Sequence, residues 1–379
     1  MEKKDITLKS SSEREQNQLA GSAEHEKIKG SQNLNMPNLR FPEFSGEWVE
    51  TTIGDVAPLQ RGFDLPTKDV IEGTYPVVYS NGILRNHKYY KCEAPGLITG
   101  RSGSIGNFTY INEGKYWPHN TSLWVTNFNN NYPLFIYYLY QTIDISQYSS
   151  GSSVPTLNRN DVHKHTVSLP EYNEQTKIAD FLAKIDERIE TQKKIIEKYE
   201  SLIRGLCDHL TRQGTANKTI NECLECHSST LQESSVLEDG KYPVYGATGV
   251  CGYTDTPDVS GDGILIIKDG ASVGTTSYAE GCYSAIGTLN RLTAKQGINL
   301  RYLYYCLKVM NFAPYKTGLA IPHIYFKDYG KHKIWCPSFE RQSRIADALT
   351  KIDNKIQIEK SLLECLNSQK RYLLNQLFI

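Results

Sequence analysis

Three runs of residues have the types and spacing for chemistry, and each can be tested for the parts that chemistry needs. Cys223-Leu-Glu-Cys226-His227 has the spacing of a c-type haem attachment and could also supply zinc ligands. Thr99-Gly-Arg-Ser-Gly-Ser-Ile-Gly106 is glycine-rich and follows the apolar pair Leu97-Ile98. It lacks the lysine and the serine or threonine of a phosphate-binding P-loop. Pro257-Asp258, ahead of the apolar run that ends in Lys268, suggests a nuclease carboxylate–lysine cluster. The position two before Lys268 is Ile266, so a metal-binding acid is missing. No Asn-Pro-Pro-aromatic or Asp-Pro-Pro-Tyr run of an amino-methyltransferase occurs. The expectation is a chain with no catalytic residue and no metal or cofactor of its own.

What remains are loops rich in small polar and basic residues, the types that contact phosphates and base edges: Arg and Lys for phosphate and guanine, Asn and Gln for adenine. The candidates are Arg61, Asn81, Arg85, Lys88, Arg101, Ser104, Asn158 and Arg159 in the first part of the chain. In the second part they are Lys268, Ser272, Lys316, His323, Tyr325 and Lys327.

The elements that must position these residues come twice. Gln175 and Gln342, Ile178 and Ile345, and Ala179 and Ala346 all lie 167 positions apart. The same offset pairs Thr52-Ile53 with Thr219-Ile220, Tyr75-Pro76-Val77 with Tyr242-Pro243-Val244, Tyr137-Tyr138 with Tyr304-Tyr305, Gly151 with Gly318 and Pro155 with Pro322. It slips by a single residue between Ser104-Ile105-Gly106 and Ser272-Val273-Gly274. The chain therefore holds two copies of one unit, a globular segment followed by a helical one.

The repeat decides the cysteine question. At the common offset Cys223 and Cys226 fall on Val56 and Leu59, Cys306 on Leu139 and Cys336 on Leu169. Cysteine stands where the other copy has apolar residues, which suits buried thiols rather than haem or zinc ligands.

Each helical segment follows a proline, at Leu169-Pro170 and Cys336-Pro337, with Asn173 or Ser338 placed to cap the new helix. In the first, Ile178, Ile185, Gln192, Tyr199 and Leu206 recur every seven residues, interleaved with Leu182, Ile189, Ile196, Ile203 and Leu210. The second gives Ile345, Ile352, Glu359, Leu366 and Leu373 with Leu349, Ile356, Leu363, Lys370 and Leu377. Seventeen of these twenty seam positions are apolar, the pattern of a coiled coil. The polar Gln192 and Glu359 occupy equivalent places, suited to setting register. A helix over 174–210 would be roughly 55 Å long. Readers of adjacent major grooves sit about 34 Å apart or a multiple of it, so such a helix pair could space two of them.

The globular segments, 47–169 and 215–336, contain strand candidates at 75–79, 123–126 and 264–267 and helix candidates at 133–141 and 300–310. Each is mixed α and β, and the class expected is α+β. Among 379 residues the net charge is zero and the tyrosines number 25, a composition that does not announce a nucleic-acid binder. Nine cysteines, an odd number, read as reduced thiols. No segment has a signal peptide's or a membrane span's apolar run, so a cytoplasmic chain with no membrane contact is expected.

The strand-to-helix junctions resemble those of type I restriction-modification specificity subunits. The residues concerned are Leu169-Pro-Glu-Tyr-Asn-Glu-Gln175, Lys177-Ile-Ala-Asp-Phe-Leu182 and Lys184-Ile-Asp186, repeated as Cys336-Pro337, Arg341-Gln342, Arg344-Ile-Ala346 and Lys351-Ile-Asp353. Leu39-Arg-Phe-Pro-Glu-Phe44 with Gly46-Glu-Trp48 resembles the start of many members. The second copy departs from the family at Phe339-Glu-Arg-Gln342 and at Lys370. Residues 1–36 are polar without a reliable period and read as a flexible tail; the resemblance implies target recognition domains over 37–170 and 214–337 and spacer helices over 171–213 and 338–379. The helices would pair as an antiparallel coiled coil with a pseudo-twofold axis. Each domain would read one half of a bipartite site in double-stranded DNA. The helices would hold two modification and two restriction subunits, and those partners, not this chain, would use S-adenosylmethionine, ATP and magnesium. The residues alone leave a second reading open, a protein adaptor that uses the same coiled coil without touching DNA.

Overall fold

A computed structural model describes residues 35–151, 155–318 and 320–379. It divides into two units, Met1–Ala183 with Lys370–Ile379, and Lys184–Gln369. The polar stretch over 1–34 lies outside the described residues. Asn35 and Met36, placed in the tail by sequence, belong to the folded part: Asn35 donates to the Trp48 carbonyl at 2.8 Å and accepts from Ser168 at 2.9 Å.

In the first unit a four-stranded antiparallel sheet has the order Leu59–Arg61, Ser122–Val125, Gly96–Gly100, Phe108–Ile111. A second sheet has the order Gly82–His87, Tyr75–Tyr79, Lys115–Pro118, Cys92–Glu93, with Tyr75–Tyr79 parallel to Lys115–Pro118. The second unit repeats both, from Leu224–Ser228, Leu289–Ala294, Gly263–Ile267 and Thr276–Ala279, and from Gly249–Thr254, Tyr242–Gly246, Cys282–Ala285 and Val259–Ser260. Even the irregularities repeat. Ladder shifts occur between Val77 and Val78 and between Val244 and Tyr245. The two hairpins turn at Gly82 (φ 103°) and Gly249 (φ 112°), where a side chain would be strained.

The helix candidates are Pro133–Thr142 and Leu300–Lys308. Each buries tyrosines and leucines against its sheet, including Tyr138, Leu139 and Tyr140 in one and Tyr302, Leu303 and Tyr305 in the other. The long helices are Tyr172–Thr211 and Phe339–Leu377. Asn173 is therefore not a cap but lies inside the first turn, because Gln175 N–H already bonds the Glu171 carbonyl at 3.0 Å. Ser338 does stand at the boundary, its carbonyl accepting from Gln342 N–H at 2.9 Å.

None of the twenty seam residues is exposed. Each apolar side chain fully removed from water there contributes about 1.5–3 kcal/mol. Lys370 is half-buried, with its ammonium 5.4 Å from the Tyr138 ring centroid. In the second unit the helices run antiparallel, and the equivalent residues Gln192 and Glu359 meet. The Gln192 amide donates to the Glu359 carbonyl at 3.0 Å and to its carboxylate. Positions one repeat apart that touch each other mark a local twofold of the helix pair.

Gln175 and Gln342, both buried, join each long helix to its globular segment in the same way. Their side-chain carbonyls accept from Tyr132 N–H at 2.9 Å and Asn299 N–H at 2.8 Å. Their amides donate to the Pro170 and Pro337 carbonyls at 3.0 and 2.8 Å.

Candidate nucleic-acid interface

The same cleft is built once in each unit. In the first, a depression of about 510 Å³ is lined by Arg61, Asp64, Arg101, Leu123, Asn158 and Arg159 among others. In the second, one of about 440 Å³ is lined by Ser228, Lys268, Asn290, Tyr325, Phe326 and Lys327 among others. The 167-residue offset carries Arg61 onto Ser228, Arg101 onto Lys268, Leu123 onto Asn290, Asn158 onto Tyr325 and Arg159 onto Phe326.

The frame beneath is shared. Arg101 N–H bonds the Thr121 carbonyl at 2.9 Å, and the Arg101 carbonyl accepts from Leu157 N–H at 2.8 Å. At the equivalent places Lys268 N–H bonds Thr288 and the Lys268 carbonyl accepts from Ile324, both at 3.0 Å. The bridges between Ser102 and Thr156 and between Asp269 and His323 are equivalent too. A fixed backbone thus presents different side chains in the two clefts.

Of the residues singled out by sequence, the first cleft brings together Arg61, Arg101, Asn158 and Arg159. Asn158 spends its side chain locally, accepting from Asn160 N–H at 3.1 Å and donating to Asp161 at 2.6 Å, which makes it the N-cap of Arg159–His163. Asn81 sits in a hairpin turn beside the cleft, where Ser80 N–H bonds the Thr121 hydroxyl at 3.3 Å. Arg85 is exposed on the following strand, near enough to His119 to act on its charge. Burial is the main force holding the His119 pKa below its usual value, with Arg85 adding to it. Ser104 lies in the loop after Gly96–Gly100, and Lys88 at the far end of the hairpin strand; neither lines the cleft.

The second cleft gathers Lys268, Tyr325 and Lys327. His323 is turned to Asp269, 2.7 Å away, and Asp269 itself lines the cleft. Ser272 and Lys316 are exposed but outside it. Sequence reading missed Asp64, Asn120, Asn160 and Asn290. The repeat offset from Lys327 would have pointed to Asn160; the Asp64–Asn120 contact joins residues that only the fold brings together.

The cysteine run packs as the repeat suggested. Cys223 is fully buried in the core cluster with Cys306 and Cys336, and Cys226 packs against it from the cleft wall. Burial pushes the Cys226 thiol up to about 11, so it stays protonated at neutral pH. Groups of three or more His, Cys, Asp or Glu placed to hold a metal do not occur among the described residues, nor does a helix long and apolar enough to cross a membrane.

Two copies of one α+β domain, each with an unlike cleft and each followed by a long helix, define a twin-domain protein. The model of the type I restriction modification DNA specificity domain matches residues 45–201 and again 214–368, and the chain belongs to that family. It is 30% identical over 141 residues to a type I restriction enzyme specificity subunit of Escherichia coli, covering 36% of this chain and 35% of that one. To a putative type I specificity subunit of Mycoplasma genitalium it is 27% identical over 228 residues, 54% of this chain and 59% of the relative. The matches thus span from about a third to just under three fifths of these relatives. The crystal structure of a type I restriction-modification S subunit from M. genitalium has the same fold, with TM-score 0.65 at 21% identity over 91% of this chain and 99% of that one. A structure described as showing complex assembly and conformational transition of a type I system matches with TM-score 0.51 at 16% identity, over 86% of this chain and 96% of that one.

Proposed function

We propose that this chain is the DNA-reading subunit of a type I restriction-modification complex, with each cleft reading one half of a bipartite site in double-stranded DNA. The observation that carries this is one backbone frame built twice with Arg61 against Ser228 and Arg101 against Lys268. Equivalent frames give equivalent approaches to the duplex; unlike side chains give unlike half-sites. The helix pair is the scaffold for modification and restriction subunits. Methylation, ATP hydrolysis and cleavage, with S-adenosylmethionine, ATP and magnesium, belong to those partners. The chain itself carries no catalysis.

The test is to co-express the chain with its modification subunit in a host without other methylation systems and to map modified adenines across the genome. The expected result is a split motif with a fixed gap, lost when the chain is omitted. A stable complex that methylates nothing, together with no affinity for any duplex and no response to salt, would select the adaptor reading instead.

A further inference from the structure

We infer that Arg61 is the base-reading residue of the first cleft and selects a guanine in the corresponding half-site, while Arg159 serves the phosphate backbone. This rests on the reading of the clefts given above.

Arg61 is oriented by one neighbouring side chain, which is itself exposed. Its Nη2 donates to Asp64 Oδ1 at 2.9 Å, and the same oxygen accepts the Asn120 amide. Its backbone is closely packed, because the next residue is pressed against the chain across from it. A Cβ on Gly62 would fall 2.2 Å from the His119 carbonyl oxygen and 2.5 Å from that of Pro118. Gly62 N–H bonds Ser122 at 3.0 Å and Phe63 N–H bonds Pro118 at 2.8 Å, closing the segment onto the turn that carries Asn120. Arg61 nevertheless stays half in solvent, with its side chain 51% exposed.

A carboxylate beside a guanidinium argues against a phosphate partner. It cancels the charge that attracts the backbone and would itself repel a phosphate. What it leaves is the remaining N–H donors of the guanidinium, oriented by that one contact. Guanine offers two acceptors, N7 and O6, on one edge of the major groove and suits those donors. Arg159 is different: it is exposed at the first position of a short helix, with no such carboxylate holding it among the described residues. The second cleft has Ser228 at the equivalent position, so this arginine contact belongs to one half-site only.

The experiment uses the co-expressed complex and duplexes carrying the motif it methylates. Arg61→Ala should relax one guanine position in one half-site, reducing discrimination there roughly ten- to a hundredfold. It should leave the other half unchanged, and Arg61→Ala combined with Asp64→Asn, which removes both charges of the pair together, should leave the dependence of affinity on salt unchanged. Arg159→Ala should weaken all duplexes alike and lower the salt slope by about 1. Asp64→Asn keeps the shape but removes the charge, and should raise the salt slope while loosening the same guanine position. A first half-site without guanine, a uniform loss with a lower salt slope for the charge-balanced double variant, or an unchanged motif would each overturn the assignment. Failure of the wild-type complex to methylate any split motif would bring down the reading of the clefts itself, before any variant is made.

Discussion

His119, His163 and His165 of the first unit all have their pKa values lowered, each chiefly by burial. Leu59 N–H donates to the His163 Nε2 at 2.8 Å, a bond a protonated ring could not accept. In the unfolded chain these rings take up protons near pH 6.5, their ordinary value, whereas the folded rings resist until lower pH. Stability is therefore full above about pH 6.5 and is lost as the pH falls below it. The first unit should melt several degrees lower at pH 5.5 than at pH 7.5. Tryptophan fluorescence can follow it, since Trp48, Trp117 and Trp124 lie in that unit and only Trp335 in the other. A midpoint indifferent to pH across this window would refute the account. At this scale the sequence was legible by residue type: arginines in polar loops pointed to the first cleft. It could not show that Asn158 caps a helix or that Asp64 bonds Arg61, because both facts depend on which atoms the fold brings within hydrogen-bonding distance.

The long helices were the most legible elements, since a seven-residue period is a direct imprint of one face meeting a partner. What the period left open was the role of its polar members. Glu359 accepts from Gln192, and Lys355 lies 2.6 Å away as a second partner. These two partners hold the Glu359 carboxyl below its usual range, Lys355 first. Gln192→Glu would set two carboxylates face to face at the local twofold and should lower the unfolding midpoint of the second unit by about 3 °C or more. The gap from the parent should narrow as the pH falls into the carboxylate range. Exchange of both residues, Gln192→Glu with Glu359→Gln, should restore the midpoint, because Arg188 stands four residues before position 192 as Lys355 stands before 359. A double variant as weak as the single one would show that the pair does not set the register. Calorimetry of the three chains decides it.

At the scale of the molecule, the first unit is discontinuous: residues 370–379 belong to it. Phe378 lies 5.1 Å from the Phe135 ring and 6.5 Å from Trp48, and Leu373, Leu374 and Leu377 are buried beside it. Leu39 N–H bonds the Gln376 carbonyl at 2.9 Å, and Arg40 grips the buried Glu174 with two 2.7 Å bonds. The opening run of residues thus fastens both long helices to the first globular segment, a role that its sequence alone does not disclose. Phe378→Ala should destabilise the first unit by about 3–5 kcal/mol. Hydrogen exchange should show lost protection there and none lost in the second unit. Equal loss in both would mean that the units do not unfold separately.

That discontinuity also fixes a timetable. A ribosome releases residues 1–183 first, but the side chains that seal their core are made after everything in the second unit. The second unit, contiguous from 184 to 369, can close on its own residues while the first still waits with an apolar gap open to the cell. The half of the protein that is synthesised first is thus the half that matures last, and it is the half that needs shelter from aggregation during synthesis.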